Sequence, residues 1–283
     1  MRLLLIGATS FVGAALRAHP AWPATGRATF HTEAIEGGVP LDVRDPGAVA
    51  RVLDALDPTH IIDCSLAGRD DPDTAARAAA AVCEAIHARG RGRLVFVSSD
   101  AVFRGDSTRP YTEEDRVAPT SAYGAAKAAA EQVVLARLSD SCVARTCLVY
   151  GRDVRPGRSP LGARVASVVD VLASGKTLPQ YTAQYRTPTD VFDLAGALLR
   201  VAATDFTGVL HLAGAERLSR ADFARTVAQI FGFDPRGVVE QPLAETAAFG
   251  VDTSLSSSLA ARVLDWQPRS VTAALTDLRT QKE

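Results

Sequence analysis

The opening stretch constrains the fold more than any other. Leu3-Leu4-Leu5-Ile6, within a strand read over residues 2–6, is unbroken apolar text, as in a strand buried on both faces of a parallel sheet. Gly7-Ala8-Thr9-Ser10-Phe11-Val12-Gly13 follows, then the helix-forming Ala14-Ala15-Leu16-Arg17. A strand, a glycine turn and a helix in that order aim a helix N-terminus at a phosphate. The loop approximates Gly-x-x-Gly-x-x-Gly with Ser10 in the middle place. Serine is small enough for close approach but adds a hydroxyl. On this loop alone, an ordinary strand-to-helix turn stays open as the bland reading.

The alternation continues to residue 150. A second strand spans Ala28 to His31. Where NAD is bound, an acidic residue ending this strand takes the ribose 2′-hydroxyl. Here the end is His31-Thr32, with Glu33 one step further, which leans toward NADP(H) over NAD(H). Asp42 and Val43 follow, placed to edge an adenine. A helix over Pro46 to Leu56 leads to a buried strand at Thr59 to Cys64, and an alanine-rich helix runs from Ala75 to Arg89. The strand Arg93 to Asp100 ends in Ser98-Ser99-Asp100, a polar terminus of the kind a doubly wound sheet presents to a ligand. A helix cap is the alternative, but Phe103-Arg104-Gly105-Asp106 reads as a turn. One more strand is expected over Cys142 to Gly151. Strands alternating with helices predict a parallel α/β sheet.

Within this frame lies Ser121-Ala122-Tyr123-Gly124-Ala125-Ala126-Lys127, which has good helix propensity. Tyr123 and Lys127, at i and i+4, share one face. An ammonium beneath a phenol lowers its pKa and makes it a general acid near neutral pH. The chain has only three lysines, Lys127, Lys176 and Lys282, so the pair is seldom an accident. A surface lysine covering a ring is the plain alternative.

Beyond Gly151 the texture changes. Arg152 to Pro160 is rich in Arg, Pro and Gly and reads as a mobile loop or linker. Helices follow over Ala163 to Ser174 and Asp190 to Ala203, a late strand over Gly208 to Ala213, and a helix to Phe231 with Ser219 as N-cap. The expected division is a dinucleotide domain of residues 1–150, to which 186–213 return. A substrate lobe comprises 151–185 and 214–283.

At 283 residues with formal net charge -1, nothing suggests nucleic acid or an anionic membrane as partner. No apolar run approaches a membrane span. Cys64, Cys83, Cys142 and Cys147 lack metal or redox spacing and read as buried hydrophobes. Five scattered histidines form no ligand pair. The expectation is a cytoplasmic chain with no disulfide and no metal.

Together these pieces resemble the extended short-chain dehydrogenase/reductase family, in its dTDP-4-dehydrorhamnose reductase-like branch. Ser98-Ser99-Asp100-Ala101-Val102-Phe103 is similar to the branch's Ser-Thr-Asp-Tyr-Val-Phe. Pro110-Tyr111-Thr112-Glu113-Glu114-Asp115 is similar to its Pro-Tyr-x-Glu-x-Asp. Tyr123 to Lys127 matches its catalytic pair, and Arg145-Thr146-Cys147-Leu148-Val149-Tyr150-Gly151 its Arg-Thr-x-x-Val-Tyr-Gly strand. Arg186-Thr187-Pro188-Thr189 and Asp252-Thr253-Ser254-Leu255 resemble segments of its C-terminal lobe. The resemblance implies a Rossmann-type doubly wound parallel sheet with a smaller C-terminal substrate-binding lobe. It implies an NAD(P)H-dependent reductase of a keto group on a 4-keto-6-deoxy sugar nucleotide, serving deoxysugar biosynthesis. Tyr123 would be the proton donor, Lys127 would depress its pKa and bond the nicotinamide ribose, and Ser99 would stand for a catalytic Thr. Gly7, Thr9, Ser10, Phe11, Val12 and Gly13 would line the pyrophosphate. His31 and Thr32 would lie by the adenosine ribose, Asp42 and Val43 by the adenine, and Ser65 and Leu66 by the nicotinamide half. Ala101, Leu148 and Arg186 would face the substrate.

The departures fall in that pocket. Ala101 stands for a Tyr, Leu148 for a Trp, and Asp63-Cys64-Ser65-Leu66-Ala67-Gly68 for an Asn-Ala-Ala-Ala run. The redox apparatus carries over; the sugar does not. Two alternatives are a sugar-nucleotide epimerase of the same family and a non-catalytic NADP-binding regulatory subunit. Dehydration is disfavoured, because Ala101 follows Asp100 where a Glu would serve elimination. Relatives often dimerise, so a homodimer is one assembly to expect.

Overall fold

Capping side chains decide where the loops of this chain turn into helices. Ser10 caps α1 (Phe11–Ala18), Asp45 caps α2 (Pro46–Leu56), Asp71 caps α3 (Pro72–Ala88) and Ser121 caps α4 (Ala122–Arg137). Each side-chain oxygen accepts a backbone N–H that the first helical turn leaves unpaired. At α2 and α3 the cap is followed by Pro, whose fixed φ suits the first helical position. The Asp-Pro pair places the start of α3 three residues ahead of the Ala75 read from alanine content.

The computed structural model describes residues 1–242 and 251–281. Strands β1 (Leu3–Ile6), β2 (Arg27–Phe30), β3 (Val39–Pro40), β4 (His60–Asp63), β5 (Arg93–Ser99), β6 (Ser141–Thr146) and, further on, Gly208–His211 form one seven-stranded sheet. Its order is β3-β2-β1-β4-β5-β6 followed by Gly208–His211, and every pairing is parallel. This is the doubly wound arrangement, with its switch point between β1 and β4.

Strand residues alternate between two cores. Leu3, Leu5, Ile62, Val95, Val97 and Ala144 meet the α1 face. Leu4, Ile6, Ile61, Leu94, Phe96 and Val143 meet α2, α3 and α4. Because both faces are covered, the strands read as continuous apolar runs. Cys64, Cys83 and Cys142 are free and buried within this packing, and Cys147 is free and buried in a smaller cluster with Val102 and Phe103.

The strand expected over residues 142–151 is broken. β6 ends at Thr146, Leu148 takes a left-handed φ of 39°, and β7 (Val149–Tyr150) leaves the main sheet. After β8 (Leu178–Tyr181) and β9 (Tyr185–Arg186), β10 (Thr189–Asp190) pairs with β7 in parallel. The kink is held from a distance: Thr189 Oγ1 donates to the Cys147 carbonyl at 2.9 Å, and Thr189 N–H to that of Leu148 at 3.3 Å. Such a conformation costs about 1–3 kcal/mol for a non-glycine residue and persists only where surroundings fix it.

The remaining elements are α5 (Gly162–Ala173), α6 (Val191–Ala202), β11 (Gly208–His211, the seventh strand above), β12 (Leu218–Ser219), α7 (Arg220–Ile230), β13 (Val238–Gln241), α8 (Ser258–Leu264) and α9 (Val271–Thr280). Tyr150, Leu161, Val165, Phe223, Val227 and Leu275 gather α5, α7 and α9 into a third core. The loop after β7, read as mobile, is tied across its base, since Asp153 N–H donates to the Pro160 carbonyl at 3.0 Å. Among the described residues no helix is long and apolar enough to cross a membrane.

Candidate active site

The β1–α1 turn forms a cradle that only small residues permit. Gly7 has φ 80°, and a Cβ there would stand 2.9 Å from the Cys64 backbone. A Cβ on Gly13 would overlap the Gly7 carbonyl oxygen. Ser10 explains its own place in the pattern: its hydroxyl donates to Gly7 O at 2.8 Å and accepts Gly13 N–H at 3.0 Å. The added oxygen is spent inside the loop. Thr9, Phe11 and Val12 complete a turn whose helix N-terminus suits a phosphate.

His31 and Thr32 lie at the end of β2, both exposed. Asp42 is there too, 3.5 Å from His31 Nε2, and it is gripped by Arg44, whose Nε and Nη2 each donate at 2.8 Å. That guanidinium holds the Asp42 carboxyl down at about 2. Arg44 was not anticipated from sequence, although an Asp-x-Arg step just past a strand edge is a readable signal. Val43 is buried below. Ser65 N–H donates to Asp63 Oδ1 at 2.8 Å, and Leu66 is 48% exposed. Among the described residues no group of three His, Cys, Asp or Glu gathers as a metal would need.

Ser99, Tyr123 and Lys127 come together at the carboxyl edge of β5. The polar end of β5 is also a cap: Ser99 Oγ accepts Ala101 N–H at 3.2 Å and starts a single 3-10 turn, Asp100–Val102. The sequence reading, which saw no helix there, missed this turn because it is one turn long. The turn abuts α4 at Gly124, where a Cβ would overlap the Ala101 carbonyl oxygen. This contact sets Tyr123 against Ser99. Gly124→Ala is expected to push the two elements apart, costing about 1–3 kcal/mol of stability. A misplacement near 1 Å lowers kcat about 10²-fold. Denaturant unfolding and single-turnover rates on the variant check both numbers.

The electrostatics of the pair differ from the sequence expectation. Tyr123 is pushed above the ordinary phenol value, first by burial, while the neighbouring Ser99 hydroxyl pulls it back, the Asp100 carboxylate pushes up and Arg69 pulls down. Lys127 Nζ donates to Val97 O at 2.9 Å and Ser65 O at 3.5 Å, and lies 4.9 Å from the Phe96 ring centroid. Burial lowers its own pKa. The i, i+4 spacing put both residues on one face but could not show that two carbonyls take the ammonium. Arg69, with its guanidinium carbon 5.8 Å from the Tyr123 ring centroid, is a cation that sequence reasoning overlooked.

Across from the Tyr123 helix Asp100 joins three segments of the chain. It accepts from Ser99 Oγ at 3.0 Å and from Thr253 Oγ1, and pairs with Arg186 Nε at 3.4 Å. Ala101 follows on the same turn. Leu148, at the kink, lines a cleft of about 380 Å³ with Arg164, Gln180, Arg220 and Phe223. Arg220 is drawn down to about 10 by burial and by the repulsion of Arg164 and Arg186. Arg220 was missed as well. Its signal was local: a cation right after the Ser219 cap opposes the positive end of the helix dipole.

Two relatives are described as dTDP-sugar reductases. A dTDP-4-keto-6-deoxy-D-glucose reductase of Streptomyces niveus is 33% identical over 217 residues, covering 71% of this chain and 71% of its own. A probable dTDP-4,6-dihydroxy-2-methyloxan-3-one 4-ketoreductase of Streptomyces antibioticus is 33% identical over 205 residues, 69% of this chain and 67% of its own. The fold matches a dTDP-4-dehydrorhamnose reductase of Bacillus anthracis solved in complex with NADP, at TM-score 0.82 and 23% identity over 100% of this chain and 99% of that one. The profile of one family spans residues 1–282, and the chain belongs to it: the RmlD substrate binding domain family.

Proposed function

We propose that the protein is an NAD(P)H-dependent reductase of a keto group on a nucleotide-linked deoxysugar, with NADP(H) the favoured cofactor and a 4-keto-6-deoxy sugar as the reacting unit. The observation that carries this reading is the convergence of Ser99, Tyr123 and the carbonyl-anchored Lys127, set at the carboxyl edge of a sheet whose first turn is a phosphate cradle. The two dTDP-sugar reductases support the substrate class.

Gly7, Thr9, Ser10, Phe11, Val12 and Gly13 would hold the pyrophosphate, Asp42 and Val43 the adenine side, and Ser65 and Leu66 the nicotinamide half. His31, Thr32 and Arg44 would meet a 2′-phosphate. Residues 1–150 and 186–213 make the dinucleotide domain in this reading, and 151–185 with 214–283 the substrate lobe. Arg164, Arg186 and Arg220 suit the substrate's diphosphate, and Ala101 and Leu148 its sugar.

A bound nicotinamide supplies hydride to the carbonyl carbon. The chain's own residues manage the oxygen. Tyr123 would donate to the ketone oxygen, and Ser99 would join it by turning its one hydroxyl proton away from the Asp100 carboxylate, so that both stabilise the charge growing there. Tyr123 delivers its proton there. Burial favours the neutral phenol, so the proton is in place at neutral pH. Lys127, anchored by two carbonyls, would hold the nicotinamide ribose.

Initial rates with NADPH and NADH over a panel of nucleotide-linked 4-keto sugars test the reading. NADPH oxidation is expected with at least one of them. Arg44→Ala is expected to raise KM for NADPH about tenfold, equivalent to about 1.4 kcal/mol, with NADH little changed. An equal response to both cofactors removes the NADP assignment. No oxidation with any keto sugar removes the reductase.

A further inference from the structure

The loop from Arg152 to Pro160 belongs by sequence to the substrate side, yet it lies on the nucleotide cradle. The Arg155 guanidinium carbon stands 5.6 Å from the centroid of the Phe11 ring. A Cβ on Gly162, just past the loop's far end, would stand 3.2 Å from the same ring. Phe11 is the first residue of α1, so the loop rests where that helix presents its unpaired N–H groups.

Arg155 is held there. Asp153, whose side chain is 4% exposed, accepts from its Nε at 2.8 Å, its Nη2 at 2.6 Å and its backbone N–H at 3.1 Å. One edge of the guanidinium is thus spent on fixing its orientation. Nη1 has no hydrogen-bond partner among the described residues. A guanidinium fixed in this way keeps its planar fork ready for a phosphate at small entropic cost. Its place over Phe11 sets the guanidinium, already paired with Asp153, near the N-terminal end of the α1 dipole. An anion seated there gains from the helix dipole and from the unused Nη1.

We infer that Arg155 binds the pyrophosphate of the dinucleotide from outside the strand-turn-helix unit, so that the arginine loop closes over the cofactor. This rests on the dinucleotide reading above. It ties cofactor occupancy to the first segment of the substrate lobe, because Arg155 and α5 are joined through Gly162. A phosphate that draws in Arg155 therefore steadies the chain entering the Arg164 cleft.

The test is a fluorescence titration of the full chain with NADPH and with NADH, comparing wild type, Arg155→Met and Arg155→Lys. The Met variant is expected to bind both dinucleotides about tenfold more weakly, the loss of one charge-assisted contact of about 1.4 kcal/mol. The Lys variant keeps the charge without the fork and falls between. Trypsin gives a second readout, since Arg158 is exposed on the same loop. NADPH is expected to slow the cut after Arg158 in wild type and not in Arg155→Met. Met-variant affinities unchanged for both cofactors overturn the inference, and so does a loss confined to NADPH, which would place Arg155 on the 2′-phosphate instead. Wild type that binds neither dinucleotide removes the cofactor reading itself, and the inference with it. Should the Met variant unfold, the Lys variant alone decides, because a merely structural role predicts no cofactor-dependent change in trypsin protection.

Discussion

Tyr123→Phe is expected to lower kcat about 10³-fold while leaving the affinity for NADPH close to wild type. The change removes one oxygen from a ring that stays packed in the first turn of α4, so the fold has little reason to respond. In the proposed mechanism what is lost is the donor to the ketone oxygen and the proton that ends up on it, and general acid catalysis contributes about 10²–10⁴-fold. Ser99 remains as a single donor and accounts for residual turnover. The pH profile follows from the direction of the phenol shift. Tyr123 is active when protonated, and burial together with Asp100 raises its pKa above the ordinary value near 10. Activity in the reductive direction is therefore present throughout the neutral range and is lost only as pH rises through that raised value. An alkaline limb appearing already below about pH 8 would mean that the occupied site reverses the shift, as the Lys127 spacing alone suggests. Undiminished turnover by Tyr123→Phe would remove Tyr123 from the chemistry.

The parts of this site that could be read from sequence are those that local geometry writes. Gly7 and Gly13 are glycines because a Cβ would strike the backbone. Ser219 caps the helix that follows it, as its place before the apolar run indicated. What could not be read depends on residues far apart in the chain. Leu148 carries no mark of its left-handed φ, since the force that sets it comes from Thr189, 41 positions later. Asp100 looks like a strand-end carboxylate until Arg186 and Thr253 arrive from other segments. Arg155 sat in a stretch that composition marks as loop, with nothing to say that it would lie on Phe11. The Tyr123–Lys127 spacing gave the right neighbours and the wrong electrostatics. Spacing reports which face a side chain shares, but burial and acceptor carbonyls decide which proton it holds.

The largest stability effect is expected at Glu131, one turn beyond Lys127 on α4. Its carboxylate accepts from Arg145 Nε at 3.0 Å and Nη2 at 2.7 Å, and both side chains are almost fully buried, at 3% and 4% exposure. The guanidinium also lies 5.0 Å from the Phe103 ring centroid, and its Nη1 has no partner among the described residues. The pair bolts α4 to β6. Glu131→Gln leaves a guanidinium in the core with no carboxylate bonded to it, only the Glu113 carboxyl acting at longer range, and breaking such a pair costs about 3–5 kcal/mol. Removing both charges is a different matter, because two apolar residues of similar volume cost little and can gain. Glu131→Leu with Arg145→Met is therefore expected to recover most of what Glu131→Gln loses. Urea unfolding at constant m-value measures the three chains. If the single variant loses less than about 1 kcal/mol, the guanidinium has found water or another acceptor, and the pair holds no helix in place. If the double variant is as unstable as the single, the value of the pair lies in its hydrogen bonds and not in the balance of charge. With the double variant folded, its kcat then separates the two duties of α4. A rate near wild type means that the Val97 and Ser65 carbonyls alone suffice to place Lys127, and a fall means that the bolt at Glu131 also sets the angle at which Lys127 meets them.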